Sequence, residues 1–255
     1  LIAGGIAWRW GIGGIFILMA STMLLTLFAL TAIRRDDIDN ARARGLETTD
    51  SPQIPDFSVL TKNRALLITG LTLLLFHLAN AALLPMLSMR IAAAPGAINP
   101  GLYAAATVII SQLVMIPVAI WTVGRIDKYG YWRLIMLALL IMPIRAALAA
   151  STAAPWMMVP VQILDGCAAG VLGVVVPSFI VALLRGSGHV NAGQSVVMLM
   201  QGAGAAMSPA LTGMIAGYYS FATAFSVLSV IALAALLIWW RSASTLSAPA
   251  FMATK

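Results

Sequence analysis

Apolar positions along this chain fall in long unbroken runs rather than in alternation. Seven runs approach or exceed the ~20 residues a helix needs to cross hydrocarbon: residues 12–33, 65–88, 102–123, 134–150, 156–184, 191–217 and 221–240. They predict seven membrane-spanning helices. Their continuity argues against a transmembrane barrel, whose strands alternate apolar and polar positions. Polar residues gather between the runs. The stretch RRDDIDNARARGLETTDSPQIPDF holds Pro52 and Pro55, which stop a long helix, and reads as part of a flexible linker over 34–64.

Composition makes the membrane assignment firm. The chain is 61% hydrophobic and 9% charged, against roughly 25% charged in soluble domains, with a mean hydropathy of +0.97. The fold class expected is therefore an all-α integral membrane bundle. Residues 1–7 read as the tail of an earlier helix, so the chain is expected to be a piece of a longer protein, with no signal peptide to recognise. Cys167 is the lone cysteine, which rules out a disulfide within the chain.

Charge then orients the spans. Twelve of the fifteen Lys and Arg residues lie in 34–64, in 124–133, at Arg185 and after residue 240. The opposite loops, AAAPGAINP, STAAP and YYS, are almost free of bases. The positive-inside rule places the 34–64 linker and the C-terminus in the cytoplasm of a cell (inner or plasma) membrane. The net charge of +7 thus reports topology, and no nucleic-acid partner is called for.

The segment GRIDKYGYWR, 124–133, is the most informative local motif. A glycine, an acid beside a base, a second glycine and a further base make a compact basic turn, in which Asp127 can cap the next helix or pair with a neighbouring cation. It resembles the G-x-x-x-D-[RK]-x-G motif of the major facilitator superfamily. Gly124, Asp127, Lys128 and Gly130 match; Tyr131 stands where the next base is usual, with Arg133 beyond it. LIAGG resembles the end of a glycine-proline stretch in the fifth helix of proton-driven antiporters, and WRW is similar to the fifth-to-sixth junction. This resemblance implies that residues 1–33 close an N-terminal bundle, that 65–240 form a six-helix C-terminal bundle after the linker, and that 241–255 are a cytoplasmic tail. It implies a conformational-switch role for the 124–133 loop. The rest of the N-terminal half would then be a missing partner of this chain.

Two charges lie deep inside apolar runs. Arg145 sits six residues before the exit near Ser151, about 9 Å deep, and Asp165 nine residues after Trp156, about 13 Å deep. Matched depth on consecutive antiparallel helices predicts an ion pair, since pairing lowers the expense of both charges in hydrocarbon. The pair is either a structural tie or part of a substrate and proton cavity. His77 and Asn80 share a helix face, and histidine titrates near neutral pH. Gln112, Gln162, Gln194 and Gln201 add amides at membrane depth, which serve helix–helix bonding as well as substrates. If one cavity exists, these groups should converge on it, while the first and last helices face lipid. Glycines at 166, 170, 173, 202, 213 and 217 should permit close helix contact.

No Walker loop, H-E-x-x-H, paired Cys/His cluster or G-x-S-x-G is present, so no ATP site, metal or cofactor is expected. The function expected is secondary active transport of a small organic solute, proton-coupled, with export preferred over uptake. Protons, the solute and membrane lipid are the expected partners. The rivals are a membrane-embedded enzyme using His77 and Asp165 as acid and base, and a receptor or scaffold on the same fold.

Overall fold

The computed structural model describes residues 2–34, 38–46, 56–94 and 100–246. Leu1 of the LIAGG stretch, residues 35–37 and 47–55 of the expected linker, 95–99 of the outer loop and 247–255 of the tail lie outside the described residues. All regular structure among the described residues is helical, with no strand. The helices are α1 (Ile2–Thr31), α2 (Asn40–Ala43), α3 (Ser58–Lys62), α4 (Arg64–Asn80), α5 (Leu83–Ala93), α6 (Pro100–Val123), α7 (Ile126–Ser151), α8 (Met158–Leu184), α9 (Val190–Tyr218), α10 (Phe221–Arg241) and α11 (Ala243–Leu246). Long apolar helices make this a multi-pass membrane protein.

Six spans are both long and apolar enough to cross a bilayer. α4 and α5 together count as one of them, over Arg64–Ala93. The seventh expected span is present as α9, 29 residues long, but Asn191, Gln194, Ser195, Gln201, Ser208 and several glycines dilute its hydropathy.

The helices from α4 to α10 build the bundle. In lateral order they run α6, α8, α7, α10, α4, α9, with α9 returning lightly to α8. The ring is filled by Leu66, Leu73, Leu139, Val161, Val175, Phe179, Phe225 and Trp239, all nearly inaccessible. Trp132 of α7 and Trp239 of α10 lock one end reciprocally. Each indole N–H donates to the other's backbone carbonyl, at 3.3 and 3.0 Å.

One expectation needs correction here. The single helix expected over 65–88 extends to Ala93 and is interrupted at Ala81–Ala82. Pro85 explains the interruption, because it has no N–H to give the Ala81 carbonyl and its ring crowds that carbonyl. The first and last helices were expected to face lipid; α1 leaves Phe16, Ile17, Leu25 and Phe28 exposed. α10 likewise leaves Val230, Leu233, Leu237 and Trp240 exposed, while its opposite face buries Ala224, Leu228, Ala232, Ala235 and Trp239 against α4 and α7. Small residues let that face approach its neighbours closely.

The segment expected as a flexible linker touches the bundle in its described part. Gly45 follows α2 at φ +80, and its carbonyl accepts from the Gly186 amide at 2.8 Å, so α2 is tied to the α8–α9 turn. Phe57 meets the ring of His189 there, with centroids 5.1 Å apart.

Glycine packing is selective. A Cβ at Gly166 would strike the Ser111 carbonyl, one at Gly204 the Leu74 carbonyl, and one at Gly170 would come within 2.8 Å of the Met115 carbonyl. These three hold α8 against α6 and α9 against α4. Gly173, Gly202, Gly213 and Gly217 have open space instead, contrary to expectation, because they lie on the other sides of α8 and α9.

Candidate functional site

The ion pair expected from matched depth is present. Arg145 Nη1 lies 2.7 Å from Asp165 Oδ1, with Arg145 only 2% exposed and Asp165 18% exposed. The same Nη1 donates to Asn80 Oδ1, and Nε donates to the Val161 carbonyl at 3.2 Å. On the other side, Ser111 Oγ donates to Asp165 Oδ2 at 2.6 Å. One connected set thus joins α6, α8, α7 and the last residue of α4. Both carboxylate oxygens and much of the guanidinium are satisfied, the condition under which a buried pair is tolerable.

Beside the pair lies a cavity of about 360 Å³ between α4, α8 and α9. It is within the size range of small-molecule sites. Its polar walls are His77, Asn80, Asp165, Gln194 and Gln201; Phe76, Leu172, Val176, Ile180 and Met198 supply much of the rest. This explains the polarity of α9: Gln194 and Gln201, seven residues apart, present one face to the cavity. Asp165 forms its wall, and Arg145 stands behind it.

Three residues expected at the cavity are elsewhere. Gln112 is exposed on α6 and does not line it, because the 100° turn between successive helical residues gives the inward position to Ser111. Gln162 is fully buried beside the Arg145–Val161 contact, and neither amide atom has a hydrogen-bond partner. Three residues before Asp165 on the helix, it points about 60° away, into the packing rather than the opening. Arg145 touches the cavity only through its partners. Ser111 was missed in the sequence for want of any means to choose between neighbours in an apolar helix.

The 124–133 segment, expected as a loop, is largely helical. α7 begins at Ile126, and Gly130 carries the bend at φ +75, ψ +160, which a side chain would resist. Asp127 neither caps the helix nor makes an ion pair among the described residues; it sits exposed in the first turn. A carboxylate there faces the positive end of the helix dipole. Lys128 lies against Tyr129, and Arg125 against Trp121, at 5.4 and 5.6 Å from the ring centroids. Gly124 and Arg133 are exposed.

Interrupted helices and charged pairs at membrane depth recur at the sites of secondary transporters, and this bundle has both beside a cavity between α4, α8 and α9. Comparison with known proteins agrees. The model of the MFS_1-like family matches residues 4–227. Two proteins of Mycobacterium tuberculosis, from strains CDC 1551 / Oshkosh and H37Rv and each described as an uncharacterized MFS-type transporter, are 30% identical to it over 239 residues. That alignment covers 92% of this chain and 57% of each relative. The chain therefore belongs to the MFS_1-like family, and it spans little more than half the length of these transporter-described relatives.

Proposed function

We propose that the chain forms the solute-binding part of a secondary active transporter for a small organic molecule, coupled to protons, with export preferred over uptake. The observation that carries this reading is Asp165: a carboxylate at the cavity wall, held by an arginine that solvent does not reach. Protonating Asp165 removes the charge that retains Arg145, and a buried cation left unpaired is unfavourable by several kcal/mol. Proton arrival is thereby linked to rearrangement of α4, α7 and α8, which meet at the pair. The interruption at Ala81–Ala82, next to Asn80, is where α4 and α5 can adjust relative to each other.

In this reading His77, Asn80, Gln194 and Gln201 contact solute, and Gly124, Asp127, Lys128, Gly130 and Arg133 form the switch at the cytoplasmic end. A second bundle, corresponding to the remaining length of the relatives, completes the cavity. The protein resides in the cell membrane, with the 34–64 segment and the C-terminus cytoplasmic.

Reconstituted proteoliposomes test the coupling. Solute accumulation should follow an imposed pH gradient and collapse when that gradient is dissipated. Asp165→Asn should abolish gradient-driven accumulation while leaving gradient-independent exchange. Full accumulation by Asp165→Asn would return the residue to a structural role.

A further inference from the structure

On the cavity walls that this chain supplies, every formal charge is already answered within the chain. Asp165 Oδ1 is held by Arg145 at 2.7 Å and Oδ2 by Ser111 at 2.6 Å, so the carboxylate is compensated before any ligand arrives. Arg145 is 2% exposed and turned to Asp165, Asn80 and the Val161 carbonyl, so it offers a ligand anion no surface. The pair adds no net charge, and a working pH of 8 lies above the range in which a free imidazole is charged. An ionic solute would leave its hydration shell for walls that offer it no opposite charge from this chain, which is strongly unfavourable.

The remaining polar groups are of a different kind. Asn80 gives its carbonyl oxygen to Arg145, which leaves its amide N–H groups as the part available to the cavity. Gln194 and Gln201 offer both donor and acceptor, and neither side chain bonds to another residue among those described. Around them the walls are aliphatic and aromatic, including Phe76 and Met198.

From this geometry we infer that the site selects neutral, amphipathic solutes: molecules with an apolar body and at least one uncharged hydrogen-bonding group that includes an acceptor for Asn80. The Arg145–Asp165 pair is the specificity device, because it cancels the carboxylate that would otherwise recruit cations. This rests on the reading of the cavity as a solute site, but not on proton coupling.

Three probes of one shape and different charge decide the matter: biphenyl-4-carboxamide, biphenyl-4-carboxylate and biphenyl-4-ylmethylammonium. Binding to the purified protein in nanodiscs is measured at pH 8 by calorimetry, with no gradient. The native protein should bind the carboxamide at least tenfold more tightly than either ion. Arg145→Gln, which exposes an uncompensated carboxylate, should turn the preference toward the ammonium probe. Asp165→Asn should turn it toward the carboxylate probe, and the double variant should restore the neutral preference. Where a single variant does not yield monodisperse protein, the native and double-variant rankings carry the test. Preference of the native protein for either ion, an unchanged ranking in well-behaved single variants, or failure of all three probes to bind would overturn the inference. A neutral preference in a protein that shows no pH-driven accumulation would instead count against proton coupling alone.

Discussion

Ser208 of α9 accepts a hydrogen bond from the backbone amide of Ala82, at 3.0 Å, where α4 gives way to α5. The interruption that Pro85 imposes on this membrane helix is thus accommodated by a side chain from the neighbouring span, as hydrocarbon requires. Asn80, two residues earlier, holds Arg145. The helix break, the ion pair and the cavity wall are therefore one local arrangement.

Ser208→Ala should leave the Ala82 amide without its acceptor in a fully buried place. The expected loss of stability is about 1–3 kcal/mol, read as a lowered denaturation midpoint in detergent micelles. Ser208→Thr, which keeps the hydroxyl, should lose less. Equal losses for the two variants would show that packing, not the hydrogen bond, matters at this position.

For Arg145 and Asp165, removal of one partner should destabilise the bundle by about 3–5 kcal/mol, because a buried charge is left unpaired. Arg145→Gln with Asp165→Asn together should recover much of that loss. A double-mutant cycle in a mild detergent measures the coupling. Additive losses would mean that the 2.7 Å contact contributes nothing beyond its separate members.

Glycine positions separate cleanly into two groups. Gly204→Ala and Gly166→Ala would drive a methyl group into the backbone of a neighbouring helix, and overpacking of this kind costs about 1–3 kcal/mol. Gly213→Ala meets open space and should stabilise α9 by roughly 0.5–1 kcal/mol through its helix propensity. Thermal unfolding of the three variants should place the first two below the native protein and the third at or above it.

Asp127→Asn tests the switch proposed for the 124–133 segment. It should slow exchange between inward- and outward-facing states while leaving solute affinity nearly unchanged. Site-directed labelling kinetics alongside equilibrium binding would show this; lost affinity with normal exchange would contradict it.

How much of this was legible in the sequence depends on which physical property recorded it. Run length and hydropathy determined the number, order and approximate bounds of the spans, because a bilayer imposes a fixed thickness on every helix. Depth along a helix is simple arithmetic, so the partnership of Arg145 and Asp165 could be read from residue counts alone. The glycine-acid motif pointed to the family, which the comparisons support over residues 4–227.

Rotation about each helix axis is what only the tertiary structure decided. In a helix that is apolar all round, periodicity does not say which face meets a neighbour. Ser111 therefore turned to Asp165 while Gln112 turned outward, and Gln162 went into the packing rather than the cavity. The same indifference hid which glycines touch a neighbouring backbone and which face open space. It also hid the buried stripe of α10, whose alanines are as apolar as the leucines around them. The bilayer constrains how far along each helix a residue lies, but only helix–helix contact fixes the direction in which it points.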